Sequence, residues 1–104
     1  MYAANRRYEG IDKSSVEELS RKVNDSLIPK LSKLPGFKGY FLMEGDEGVM
    51  RSTTFFDTSS QAEESTRVAA EWTQDEQLEK LIPKAPNVTV RKVIAHETKA
   101  PALV

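Results

Sequence analysis

The sequence predicts an α+β fold in which two helices cover one face of a four-stranded antiparallel sheet. Three observations support this prediction. Side chains alternate between two faces near both ends of the chain, apolar residues recur every three or four positions in two longer stretches, and a short turn joins two aromatic-rich runs in the middle. The resulting order is strand, helix, strand, strand, helix, strand, which is the doubled split β-α-β motif of a ferredoxin-like domain.

The first strand is predicted over residues 2–9 and is unusually polar. Alternation divides it into two faces, one with Tyr2, Ala4, Arg6 and Tyr8 and the other with Ala3, Asn5, Arg7 and Glu9. Because Arg6 and Arg7 point to opposite faces, at least one guanidinium lies near packed surface and needs an anion. That anion is either a carboxylate or enolate of a ligand or a side chain such as Glu9, Glu44 or Glu71.

The first helix is predicted from a possible capping box, Ser14 with Glu17, and from a stripe of apolar residues. The stripe consists of Val16, Leu19, Val23, Leu27, Leu31 and Leu34. Pro29 removes a backbone hydrogen bond, so we expect a kink or a new turn between Leu27 and Lys30.

The second helix is predicted from cap candidates at 58–60 and from a line of small or apolar residues: Ala62, Ser65, Ala69 and Trp72. Thr73 with Glu76 forms another possible capping box and predicts a further short helix, which Pro83 and Pro86 would end.

The remaining strands are a hairpin and a final strand. Residues 37–44 and 49–56 are aromatic and β-branched runs joined by "GDEG", which predicts a plain turn rather than a calcium loop because two adjacent carboxylates lack spaced ligands. The final strand is predicted over residues 87–97. The sequence thus predicts one domain over residues 1–97 and a loose tail over 98–104.

Composition excludes several functional classes. The net charge is -1, which gives no overall field to hold nucleic acid, and no apolar run is long enough to span a membrane. The chain has no cysteine, which excludes disulfides, thiolate metal sites and cysteine nucleophiles and fits a cytoplasmic protein. Metal-ligand spacings and phosphate-binding loops do not occur in the sequence either.

One face of the predicted sheet still carries aromatic and aliphatic side chains that the helices do not cover. In its length, in the run "LPGFKGYFLME" and in Trp72 late in the second helix, the chain resembles the dimeric α+β barrel superfamily over residues 2–97, in particular antibiotic-biosynthesis-monooxygenase-like domains. The resemblance implies a homodimer in which two sheets face each other as a barrel. A ferredoxin-like module that pairs edge to edge is the alternative.

The haem-degrading members of that superfamily carry an asparagine on the first strand, a tryptophan on the second helix and an iron-ligating histidine roughly ten residues later. Asn5 and Trp72 match the first two, but Ile82 stands where the histidine would be. The single histidine, His96, lies on the predicted last strand. The comparison therefore predicts a protein without haem, metal or another cofactor.

The candidate substrate-binding residues are Asn5, Arg7, Trp72 and His96. We expect Asn5 and Arg7 to face the helices and meet the second helix near Trp72, forming the polar end of a pocket. Three of the four also have a purely structural interpretation: Trp72 as a core residue, Asn5 as a hydrogen-bond partner of neighbouring backbone, and His96 as an exposed residue.

Two functional hypotheses remain open at this point. In the first, the resemblance implies a cofactor-independent monooxygenase-like enzyme, whose aromatic or quinone-like substrate itself supplies the electrons for oxygen. In the second, the protein is a non-catalytic dimer that binds a small molecule or takes part in a stress response. A closed polar pocket that contains Asn5, an arginine and a titratable group would favour the enzyme, whereas a slot filled by the protein's own side chains would favour the second hypothesis.

Overall fold

The computed structural model describes residues 1–99 and shows the predicted ferredoxin-like α+β fold. Strands β1 (Tyr2–Tyr8), β2 (Phe37–Glu44), β3 (Met50–Phe56) and β4 (Asn87–Lys92) form one antiparallel sheet in the order β2-β3-β1-β4. The first strand is therefore interior, paired with β3 on one side and β4 on the other. Among residues 1–99, no helix combines the length and apolar character needed to cross a membrane.

The first helical region is one continuous run with three geometries. A 3-10 turn at Lys13–Ser15 leads into α1 (Val16–Lys22), a π-helical segment at Val23–Leu27 and then α2 (Ile28–Ser32). Pro29 lies in the first turn of α2, where a missing N–H is tolerated. A new α-helical segment thus begins at Ile28, which confirms the new turn predicted between Leu27 and Lys30.

The predicted capping box at the start of the first helix is wrong. The Asp12 side chain accepts a hydrogen bond from the Ser14 backbone N–H at 2.9 Å, and α1 begins after Ser15 without a side-chain cap. Asp12 forms this turn in place of the predicted capping box because an aspartate side chain readily accepts a hydrogen bond from the backbone N–H two residues later.

Helix α3 (Ser59–Asp75) begins at the capping box of Thr58 with Gln61. All four small or apolar residues predicted for its inner line are buried: Ala62, Ser65, Ala69 and Trp72. The further short helix predicted after Thr73 is wrong, since α3 continues through that position and the Thr73 hydroxyl donates to the Ala69 carbonyl within it. The chain then turns at Gln77, whose φ is 54°.

The core lies between the helices and one sheet face. It consists mainly of the apolar stripe of the first helical region, Trp72 of α3, and Ile11, Met50, Leu78 and Ile82. The predicted last strand ends early, at Lys92 rather than at residue 97. Thr98 and Lys99 are exposed and belong to no helix or strand, and the rest of the predicted loose tail lies outside the described residues.

Candidate functional site

The two faces of β1 have different surroundings, and the helices cover the face that carries Arg6. Arg6 is only 2% exposed, and Ala4 on the same face is fully buried. Asn5 and Arg7 lie on the opposite, open face, so the prediction that they face the helices and meet α3 near Trp72 is wrong. Alternation divided the residues of β1 between its two faces correctly. The face with Arg6 meets the helices because the hydroxyl groups that accept hydrogen bonds from the Arg6 guanidinium lie on α3 and on the inner face of β3.

The Arg6 guanidinium is held by neutral hydroxyl groups. Its Nη1 donates to Thr54 Oγ1 at 3.1 Å, and its Nη2 donates to Ser65 Oγ at 2.9 Å and to Thr66 Oγ1 at 3.5 Å. The Nε–H is buried without a partner. Within residues 1–99, no carboxylate lies within ion-pair distance of this guanidinium. The positive charge is therefore buried without a compensating negative charge.

Two tyrosines, Tyr8 on β1 and Tyr40 on β2, contribute to the electrostatics around Arg6. Burial raises the pKa of both phenols, that of Tyr40 to about 12, and the charge of Arg6 partly opposes this increase. Burial also lowers the pKa of Arg6 from its usual value. The Ser52 hydroxyl acts to lower the pKa of both phenols, although it has no partner in hydrogen-bonding geometry. At neutral pH the two phenols are therefore protonated and able to donate.

A cavity of about 180 Å³ adjoins Arg6 and Tyr8. Thr66, Ala69 and Thr73 of α3 form one wall, and Val88 of β4 lines the other side. A second space, between Trp72, the first helical region and the sheet, has a volume of only about 10 Å³ and is filled by the protein's own side chains. The cavity beside Arg6 is therefore the candidate functional site, and its polar groups are those of Arg6, Tyr8, Thr66 and Thr73.

The structure does not bring the four predicted site residues together. Trp72 is 3% exposed and packs in the core, where its Nε1 donates to Ser26 Oγ at 2.6 Å. His96 is exposed and lies beyond the end of β4. Asn5 and Arg7 lie on the open face of the sheet, on the opposite side from the core that contains Trp72.

The candidate site residues predicted from the sequence do not include Arg6 or Tyr8, although the sequence indicates that at least one of Arg6 and Arg7 lies near packed surface and needs an anion. A signal was available, because Ser65 interrupts the apolar line of α3 and polar Ser52 and Thr54 share one face of β3. Buried hydroxyls in both neighbouring elements indicate a polar group between them. Among residues 1–99, no group of three or more His, Asp or Glu side chains is arranged to hold a metal ion.

Comparison with known proteins places the fold. No family model and no curated protein matches the sequence. A protein of unknown function from Nitrosomonas europaea is similar in structure, with a TM-score of 0.72 at 16% identity over 96% of this chain and 95% of that one. A monooxygenase of Streptomyces coelicolor in complex with nanaomycin D has a TM-score of 0.70 at 10% identity, covering 95% of this chain and 92% of its own.

A further solved structure, named as an antibiotic biosynthesis monooxygenase, has a TM-score of 0.66 at 9% identity and covers 91% of this chain and 100% of its own. At these identities the likeness concerns the fold. The resemblance to antibiotic-biosynthesis-monooxygenase-like domains that the sequence predicted is thereby confirmed at the level of architecture.

Proposed function

We propose that this protein is a cofactor-independent, monooxygenase-like enzyme that acts on a small aromatic phenol or quinol. The observation that supports the proposal most strongly is Arg6, a guanidinium that is 2% exposed, has no carboxylate partner among residues 1–99 and lines a cavity. A buried cation without an anion is suited to bind an anionic oxygen of a ligand. The monooxygenases among the structural neighbours support the reaction class.

The size of the cavity limits the substrate. A cavity of roughly 150 Å³ accommodates benzene in an engineered protein. The space beside Arg6, at about 180 Å³, therefore fits one aromatic ring. A larger ligand would have to extend out of the cavity.

The polar groups at the cavity suggest how such a substrate is activated. Arg6 would lower the pKa of a bound phenol and favour the electron-rich phenolate. Tyr8, kept protonated by burial, would donate a hydrogen bond. The phenolate then reacts with O2: a ring C–H bond and the O–O bond break, and a C–O bond forms, so that one oxygen atom becomes a new carbonyl of the quinone product. The other oxygen atom leaves as water, with the ring hydrogen and the proton that the phenol released. The substrate supplies all the electrons that O2 accepts.

We further propose that the protein is a homodimer in which a second copy covers the open face of the sheet. Phe41 and Met43 on that face are 60% and 47% exposed, and Phe55 lies beside Phe41 with ring centroids 6.2 Å apart. Aromatic and aliphatic side chains clustered on one exposed surface are typical of an interaction site.

One observation favours a second candidate function, a non-catalytic protein that binds a small aromatic anion. The slot beside Trp72 is filled by the protein's own side chains, and Asn5 does not contribute to the cavity beside Arg6. A site whose charged group is an arginine and whose other polar groups are hydroxyls suffices to bind an anion, whether or not the ligand then reacts.

The test combines binding and oxygen uptake for a panel of single-ring phenols and quinols. We expect binding by the wild type with O2 consumption and quinone formation, loss of both in Arg6→Met, and partial recovery of binding in Arg6→Lys. Arg21→Met, which removes an exposed arginine of α1, should behave as wild type. Binding without O2 consumption would favour the second candidate, and a wild type that neither binds nor consumes O2 would overturn the site.

A further inference from the structure

The open face of the sheet carries a second polar surface, separate from the Arg6 cavity and independent of the proposed enzymatic function. Strand register aligns its side chains in two rows across β3, β1 and β4. One row is Arg51, Arg7 and Asn87, and the other is Thr53, Asn5 and Thr89. All six side chains can donate hydrogen bonds.

The two arginines of this surface lie directly opposite each other on adjacent antiparallel strands. Like charges in that position destabilise a sheet unless an anion lies between them. Arg7 has one carboxylate partner, Glu9, at 2.7 Å on the half-exposed rim. Arg51 has no carboxylate within ion-pair distance in the described part of the chain. The surface therefore has an excess of positive charge.

The same six residues line a hollow of about 290 Å³ together with Met43, Arg6 and Ser52. The guanidinium of Arg6 is itself bonded to Thr54 and Ser65 on the helix side of the sheet, so the cations available in the hollow are Arg7 and Arg51. No Asp or Glu among residues 1–99 lines this hollow. Thr53 donates to Asn5 Oδ1 at 3.0 Å, which occupies the amide oxygen and leaves the amide N–H groups as donors. The hollow thus combines two cations with neutral donors and lacks an internal anion.

We propose that this hollow binds a small oxyanion, a carboxylate or phosphate group, bridged between Arg7 and Arg51. A planar guanidinium can donate two parallel hydrogen bonds to such a group, so the pair can hold one anion from two sides. Asn5 and Thr89, next to each other in the second row, are placed to supply neutral donors. The anion would also relieve the repulsion between the two arginines.

The test is calorimetric titration of the wild-type protein with inorganic phosphate and, separately, with succinate, at constant ionic strength. We expect saturable binding of at least one of them, and the two titrations show which group is preferred. Arg51→Gln should weaken binding roughly ten-fold, the loss expected for one charge-assisted contact. Arg21→Gln removes the same charge from an exposed position on α1 and should leave binding unchanged.

Glu9→Gln gives a second, opposite readout. It releases Arg7 from its carboxylate, so oxyanion binding should become about three-fold tighter. A protein that binds neither anion, or in which Arg51→Gln and Arg21→Gln weaken binding equally, would overturn the proposal, since the second result would show only a general effect of net charge. Failure here leaves the Arg6 cavity and its oxygen-uptake test unaffected, because that cavity lies on the other side of the sheet.

Discussion

Arg6 is buried at a position where an apolar side chain would serve stability as well or better. Burying a charge costs several kcal/mol unless a partner of opposite charge compensates, and hydrogen bonds to neutral hydroxyls compensate only in part. Thr54 and Ser65 provide such hydroxyls, and the Arg6 Nε–H has no hydrogen-bond acceptor. We infer that the buried charge serves ligand binding rather than folding, as polar groups in active sites often do at the expense of stability.

The pKa of Tyr40 makes a prediction about stability at high pH. Its value in the folded protein is raised from 10.0 to about 12, chiefly by burial. Between these values the unfolded chain has already released the proton and the folded protein retains it, so the free energy of unfolding should fall as the pH rises from about 10 to about 12. Below the lower value this contribution is fully present.

The measurement is denaturant unfolding at a series of pH values, with tyrosinate absorbance recorded in parallel. Tyr40→Phe should flatten the decline and remove one late-titrating phenol from the absorbance curve. Tyr2→Phe is the matched control, since it removes a phenol from the opposite end of β1 from Tyr8. An unaltered decline in Tyr40→Phe would contradict the assignment.

At the scale of elements, the first helical region shows how residue spacing produces a non-standard helix. Leu19, Val23, Leu27 and Leu31 recur every four residues and are all buried. In a pure α-helix each step of four residues drifts by about 40° around the axis. The π segment Val23–Leu27 has more residues per turn and offsets this drift, with the Ile28 N–H donating to the Val23 carbonyl five residues earlier.

The π segment is also connected to α3 through one side-chain hydrogen bond, from Trp72 Nε1 to Ser26 Oγ at 2.6 Å. Ser26 in turn donates to the Lys22 carbonyl at 2.9 Å, which orients its hydroxyl. We expect a double-mutant cycle of Ser26→Ala and Trp72→Phe to give a coupling energy of about 1 kcal/mol. Denaturant unfolding of the four proteins measures it.

The control is a second cycle in which Ser32→Ala takes the place of Ser26→Ala. The Ser32 hydroxyl donates to the Pro29 carbonyl at 3.0 Å in α2 and has no hydrogen bond to Trp72. Ser32→Ala with Trp72→Phe should be additive. A Ser26 cycle that is additive too would show that the hydrogen bond contributes nothing to the connection between the first helical region and α3.

At the scale of the whole molecule, the unequal covering of the sheet predicts self-association. The helices cover one face, and the other exposes Phe41 and Met43. A second copy packed there would bury roughly 1,500 Å² in total, the size of a stable interface. Because Arg7 and Arg51 lie on the same face, pairing of two copies would also bring like charges together, and an oxyanion between them would favour assembly.

We therefore expect a dimer in sedimentation velocity at micromolar concentration and a monomer for Phe41→Glu, since a buried carboxylate would disrupt an apolar interface. Ile94→Glu introduces the same change at a residue that is 93% exposed and lies beyond β4, and it should remain dimeric. A wild type that sediments as a monomer would refute the proposed assembly and leave the fold of the protomer unchanged.

The sequence alone was sufficient to predict the element order, the hairpin and the buried line of α3. These features depend on periodicity and turn residues, which are local properties of the chain. It also separated the two faces of β1 correctly, with Arg6 on one and Asn5 and Arg7 on the other.

Only the tertiary structure decided which face of β1 meets the helices, and with it which residues form the candidate site. Alternation is symmetric between the two faces, whereas the choice depends on contacts between residues 48 and 59 positions apart, Arg6 with Thr54 and with Ser65. The end of α3 was decided in the same way, because Thr73 can cap a new helix or bond within the existing one with equal local plausibility. Such choices depend on the summed packing of distant elements, which no local pattern contains.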